Sequence, residues 1–178
     1  MGLRDDGAID GYPDNTFRPD NELLRAQFAK MIVTTLGMTD SSGFHPAEGM
    51  VAPFVDLGSN DPTSLYPHEY IAVAASRGVV VGMAPGVFSP WVSITRAQLI
   101  TMAVRAAQAM YPPAARTPIS GYAGSLGDFS PTHAENARMA EFNRLLDGIA
   151  GYGGSWDPWV PATRGEAAQI LWNMRCKS

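Results

Sequence analysis

The sequence predicts a mainly helical chain built from three copies of one loop-and-helix unit joined by long connections. The first observation is a spacing. An aromatic residue is followed by proline two positions later and by arginine eight positions later, at Phe17, Pro19 and Arg25, at Phe88, Pro90 and Arg96, and at Trp156, Pro158 and Arg164. The second is that each arginine opens a stretch whose apolar residues recur at helical spacing. The third is the period itself. The arginines lie 71 and 68 residues apart, longer than the repeats of common solenoids, and internal repetition governs the architecture.

The first predicted helix covers 22–37, with Phe28, Met31, Ile32, Thr35 and Leu36 on one face and Gly37 as its stop. Residues 38–65 are rich in Gly, Pro, Ser and Asp and read as a connection. A helix is expected over 66–77, followed by Val79, Val80 and Val81 as a brief strand or a buried exit. The helix over 95–110 turns Leu99, Met102, Ala103 and Ala106 inward and ends at Pro112 and Pro113. After a second loop-like stretch, 111–131, a helix over 132–147 buries Met139, Phe142, Leu145 and Leu146. The last, 163–175, buries Ala167, Ile170, Leu171 and Met174.

The helix starts have a physical logic. Thr95 with Gln98, and Thr163 with Glu166, fit the capping box, in which the threonine oxygen accepts from the amide three residues on and the longer side chain reaches back. In the first copy Leu24 stands where threonine is expected. Either Asn21 takes over the cap and Arg25 sits one turn inside the helix, or Leu24 holds the cap position without a side-chain bond.

The copies run over 11–37, 82–108 and 151–175, each with a glycine-led loop followed by a box of the type Thr-Arg-Ala-Gln at 95–98. They resemble the S-layer homology family, whose loop reads G-Y-x-D-G-T-F-x-P and whose box reads I-T-R-A-E. Phe54-Val55-Asp56 and Gly127-Asp128-Phe129 are similar to the F-x-D that precedes each repeat's first helix. The resemblance divides the chain into a first repeat over 1–37 with an incomplete first helix, a connection over 38–53, a second repeat over 54–108, a connection over 109–125 and a third repeat over 126–178, together one compact domain. It implies a pseudo-threefold arrangement about a central helical bundle, with loops as prongs. It also implies noncovalent anchoring to an anionic cell-wall polysaccharide, often a pyruvylated one, at the cell surface. A protein-interaction module on the same scaffold is the alternative; Gln27 and Gln98 in place of the family's glutamate leave room for it. The chain begins without a secretory leader, since Asp5 and Asp6 follow Arg4 directly. If the resemblance holds, it is a fragment of an exported protein or Met1 is not native.

The arginines carry two readings. Near a helix N-terminus the macrodipole disfavours a cation by roughly 0.3–1 kcal/mol, so three arginines there need a reason. One reason is an anion site, in which free amides, the dipole and the guanidinium fork of Arg25, Arg96 or Arg164 hold a carboxylate or phosphate. The other is a brace that bonds the preceding loop's carbonyls or an aspartate such as Asp14. The third copy is expected to bind best: its box keeps the threonine, Gly165 lets a ligand approach the first turn, and Gly153 and Gly154 keep its loop permissive. Glu166 and Gln98 complete the boxes. Trp156 is a loop plug or a sugar platform, as are Phe17 and Phe88, while Trp159 and Trp91 either stack on sugars or pack under the loop. Tyr12 and Tyr152 match the family's tyrosine, which Met83 replaces in the second copy. The expected order of the sites is Arg164, Arg96, Arg25.

Other function classes find little support. A net charge of −4 disfavours a general nucleic-acid binder. No apolar run approaches the roughly 20 residues of a membrane span. His45, His68 and His133 lack a partner at ligand spacing, 5–11 lacks the alternation of a calcium loop, and Gly124-Ser125-Leu126-Gly127 is not a nucleophile elbow because Ala123 precedes it. No catalytic residue, metal or cofactor is expected, and Cys176, the sole cysteine, allows no intrachain disulfide. Finally, the incomplete first repeat leaves the face of Phe28, Met31 and Ile32 needing cover, from 38–56 with Phe44, Met50 and Phe54, or from a second copy of the chain.

Overall fold

A computed structural model describes residues 9, 11–37, 50–61, 63–110 and 112–176. It is mainly helical. Helix α1 spans Arg25–Thr35, α2 His68–Ser76, α3 Arg96–Met110, α4 Ala134–Phe142 and α5 Arg164–Arg175, and a 3-10 turn covers Pro112–Ala115. Among the described residues extended pairing is confined to isolated bridges such as Leu24 with Ser93 and Thr95 with Pro161.

The chain forms two compact units. The first comprises Met1–Phe17 and Leu23–Ser93, and the second Arg18–Glu22 and Ile94–Ser178. In the first, α1 packs on α2. Phe28 and Ile32 are fully buried and Met31 nearly so, so the face expected to need cover is not bare to solvent. Phe44 and the rest of 38–49 lie outside the described residues, as do 1–8. Phe54 is committed elsewhere, its ring 5.3 Å from that of Phe88. No strand forms over 79–81; Val79 and Val80 are a buried helix exit, whereas Val81 is exposed. In the second unit, α3 packs against α4, α5 and the 3-10 turn around Leu99, Ile100, Leu145, Ile170 and Leu171.

Two boundaries differ from expectation by three residues or more, for identifiable reasons. Helix α1 begins at Arg25 rather than 22, because Leu24 is the N-cap in an extended conformation. The Asn21 cap does not form, and Arg25 is the first helical residue. Helix α4 ends at Phe142 rather than 147, because Arg144 turns left-handed (φ 58°) and closes the helix with bonds from its own amide to Glu141 O (2.8 Å) and from Leu145 N to Ala140 O (2.8 Å). Leu145 and Leu146 are still buried, from the turn that follows.

Candidate functional site

All three arginines occupy the first helical position, and their surroundings repeat atom for atom along the backbone. In the first unit, Arg25 N donates to Val92 O (3.0 Å) and Ala26 N to Pro90 O (3.0 Å). In the second unit, Arg96 N donates to Val160 O (3.1 Å) and Ala97 N to Pro158 O (2.9 Å), while Arg164 N donates to Asn21 O (2.9 Å) and Gly165 N to Pro19 O (2.8 Å). The recurring prolines thus supply carbonyls that satisfy helix N-terminal amides lacking intrahelical partners. The loop involved belongs to another copy each time: the second copy's loop caps the first helix start, the third caps the second, and the first caps the third.

This corrects two expectations. The amides of the first two helical positions are taken by carbonyls, so they are not free to hold an anion. Gly165 does make room at the first turn, but for Pro19: a Cβ at 165 would meet Pro19 Cβ and O, both at 3.2 Å. The third amide is capped as expected in two copies. Glu166 N donates to Thr163 Oγ1 (3.2 Å), and Gln98 N to Thr95 Oγ1 (3.3 Å). The reaching-back bonds run from Thr163 N to Glu166 Oε2 (2.9 Å), from Thr95 N to Gln98 Oε1 (3.2 Å) and from Leu24 N to Gln27 Oε1 (3.0 Å).

The guanidinium groups face the same partner loops. Arg25 lies 4.6 Å over the Phe88 ring and donates through Nε to Phe88 O (2.9 Å). It is 3% exposed. Burial pushes its pKa down to about 10, with Asp56 opposing the shift, so the group remains charged at neutral pH. Arg96 lies 4.6 Å over the Trp156 ring, donates through Nε to Glu166 Oε1 (2.8 Å) and through an Nη to Asp157 O (3.3 Å), and its side chain is 21% exposed. Both geometries are those of a brace, but on the loop of the next copy rather than the preceding one. Arg164 is half-buried.

Phe88 and Trp156 are buried plugs beneath these cations. The Trp156 N–H is buried without an acceptor among the described residues. Trp91 and Trp159, three positions on, are half exposed, at 53% and 52%. Each lies T-shaped against an aromatic neighbour, Trp91 against Tyr66 and Trp159 against Phe129 and His133. Gly82 is demanded by its own loop, since a Cβ there would meet Val87 O at 2.6 Å and Ala84 O at 2.7 Å. In the first loop Tyr12 N donates to Thr16 O (2.9 Å), and Asp14 Oδ1 accepts from Thr16 N (3.0 Å) and Oγ1 (2.6 Å).

Two carboxylates matter that the sequence did not single out for a role. Asp56 accepts from Phe88 N (2.8 Å) and Ser89 N (2.7 Å), clamping the second loop. Desolvation would raise its pKa, but these two amide bonds and Arg25 more than offset that and lower it. The signal was its place in the F-x-D motif. Its counterpart Asp128 instead pairs with Arg138. Glu141, on α4, accepts from Ser125 N (2.8 Å) and Oγ (2.7 Å) and from the Tyr152 hydroxyl (2.7 Å). Against desolvation, these donors hold its pKa down, while burial and the same carboxylate push that of Tyr152 up. The tyrosine of the third loop is therefore tied to α4 rather than presented to solvent, with Gly153 and Gly154 following it in the turn.

The S-layer homology domain model matches residues 3–29 and 61–100. The chain is 28% identical over 170 residues to a Bacillus anthracis protein described as an uncharacterized cell wall amidase, covering 92% of this chain and 28% of that protein. It is 29% identical over 171 residues to an S-layer protein of Bacillus licheniformis, covering 95% of this chain and 17% of that one. It is also 34% identical over 92 residues to cell surface glycoprotein 1 of Acetivibrio thermocellus, covering 52% of this chain and 4% of that one. The chain thus spans less than a third of the length of each of these relatives.

Proposed function

The chain carries S-layer homology sequence, and from that premise we propose that it anchors a surface protein noncovalently to an anionic, pyruvylated polysaccharide of a bacterial cell wall. The relatives named as S-layer and cell-surface proteins support the coarse reading, attachment at the wall. The observation that carries the finer reading is in the third loop. A half-exposed indole, Trp159, belongs to the same loop that Arg96 braces with a side chain still 21% exposed. A sugar ring stacks on an indole, and an acidic substituent takes charge-assisted bonds from a nearby guanidinium.

In this reading Trp159 and Trp91 are the sugar platforms, and Arg96 and Arg164 meet the acidic group. Arg25 serves as a brace, because a side chain 3% exposed cannot reach a polymer without the loop leaving it. Tyr152, Gly153 and Gly154, with Trp156 beneath, shape the third loop; Tyr12 shapes the first; Gln98 and Glu166 fix the helix starts. The function is binding, not catalysis. The relatives whose names carry an enzyme activity, an amidase and an endoglucanase, are far longer than this chain, which covers 28% and 10% of them.

Sedimentation with purified wall material tests the proposal. The folded protein should pellet with intact walls and stay in the supernatant once acid extraction has stripped the secondary polymer. Equal sedimentation with stripped walls, or none with either, would favour the protein-interaction module instead.

A further inference from the structure

The link between α3 and α4 carries a feature that the loop-and-helix motif does not need. A surface cleft of about 430 Å³ opens there, lined by Pro113, Arg116, Phe142, Asn143 and Arg144. Its frame is fixed from below. Asn143 is buried; its Oδ1 accepts from Arg116 N (3.1 Å), and its Nδ2 donates to Arg116 O (2.7 Å) and Met139 O (2.8 Å). One side chain thus clamps both polar atoms of the Arg116 backbone, while the Arg116 side chain stands exposed at the cleft edge. The Phe142 ring is steadied by Tyr122, edge-on at 5.4 Å.

The backbone of Arg144 is the more telling observation. It follows the C-cap of α4 with φ 58°, the left-handed conformation that favours glycine. The equivalent residue after α2 is Gly78, at φ 69° and with matching bonds: Gly78 N to Ala75 O and Val79 N to Ala74 O, both 2.9 Å. The third copy therefore keeps an arginine at a strained position that the second fills with glycine. The strain is not offset by the exposed ion pair of Arg144 Nε with Asp147 Oδ2 (2.7 Å), since exposed pairs contribute little. Among the described residues that pair engages only Nε, which leaves the terminal guanidinium nitrogens for another partner.

We propose that this cleft is a second anion-binding site, apart from the arginine-braced loops, taking a carboxylate or phosphate ester between Arg116 and Arg144 with its apolar part against Phe142 and Pro113. The site does not rest on the wall-polymer reading. It is tested by amide NMR of the whole chain, titrated with glycerol phosphate and, separately, with glucuronate. At least one probe should give saturable shifts at Arg116, Phe142 and Arg144; the phosphate arm marks a phosphodiester source, the glucuronate arm a carboxylated sugar. Arg116→Gln should weaken this binding tenfold or more. Arg144→Gly should do the same while leaving the melting temperature unchanged or raised, because glycine relieves the left-handed strain. No saturable shift with either probe would overturn the proposal. So would an Arg144→Gly protein that binds like the parent, or one that melts earlier, since the arginine would then be serving the fold.

Discussion

Arg25 and Arg96 hold the same position in two copies of one motif, bond the same kind of carbonyl and lie at the same 4.6 Å from an aromatic ring. Yet Arg25 is sealed, at 3% exposure, whereas the Arg96 side chain keeps 21%. The difference lies in the plug and in what stands beside it. Arg25 lies over Phe88, which packs on Phe54 in a loop clamped by Asp56, whose charge also acts on Arg25. Arg96 lies over the broader Trp156 and shares Glu166 with the capping box of the next helix start. A repeated motif thus fixes where a guanidinium sits but not whether solvent reaches it. Structure and binding can be divided among copies of one residue.

The largest effect is expected where the seal is complete. Arg25→Ala strips Phe88 O of its donor and leaves a cavity over the ring, which should cost about 3 kcal/mol. For a chain of this size that is a fall of roughly 6–12 °C in melting temperature by circular dichroism. A fall as small as that of Arg96→Ala would erase the contrast between the copies. Arg96→Ala loses a partly exposed ion pair and a cation–π contact, about 1–2 kcal/mol.

A smaller difference separates the caps. Thr163→Ala removes an acceptor for Glu166 N and should cost about 1 kcal/mol. Leu24→Thr, at the matching position of the first copy, should instead stabilise by about 0.5–1 kcal/mol, since the third amide of α1 gains a side-chain acceptor. Denaturant unfolding of the two variants checks the opposite signs.

Acid provides the mildest test. Asp56 and Glu141 have pKa values held below their ordinary 3.8 and 4.5, so each contributes stability above the ordinary value that is lost as pH falls through the depressed one. The melting temperature should therefore be flat through neutral pH and fall below about pH 4.5. Asp56→Asn and Glu141→Gln should each flatten that fall, as thermal melts at stepped pH would show.

Much of this was legible in the sequence. The three copies, the helix starts at Arg96 and Arg164 and the two threonine boxes follow from local spacing, and local spacing is what residues three and four apart can express. The partner of each helix start was not legible. Val92, Val160 and Asn21 reach amides roughly 65 residues away or more, and no local preference encodes that pairing. Hence the arginines read as bracing their own loops, and the first-turn amides read as free. Arg144 was hidden for a related reason: an arginine in a left-handed turn looks, by periodicity, like one more helical residue before Leu145 and Leu146.

The central question is whether the partly exposed Arg96 and Arg164 bind while the sealed Arg25 supports. Titration calorimetry of purified secondary wall polymer into Arg164→Ala, Arg96→Ala and Arg25→Ala, normalised to the folded fraction, tests this most directly. Arg96→Ala and Arg164→Ala are each expected to lose about ten- to a hundredfold in affinity, the worth of a charge-assisted bond. Folded Arg25→Ala should bind like the parent protein. Three variants that all bind normally but melt early would make every arginine a brace and contradict the anion-binding account.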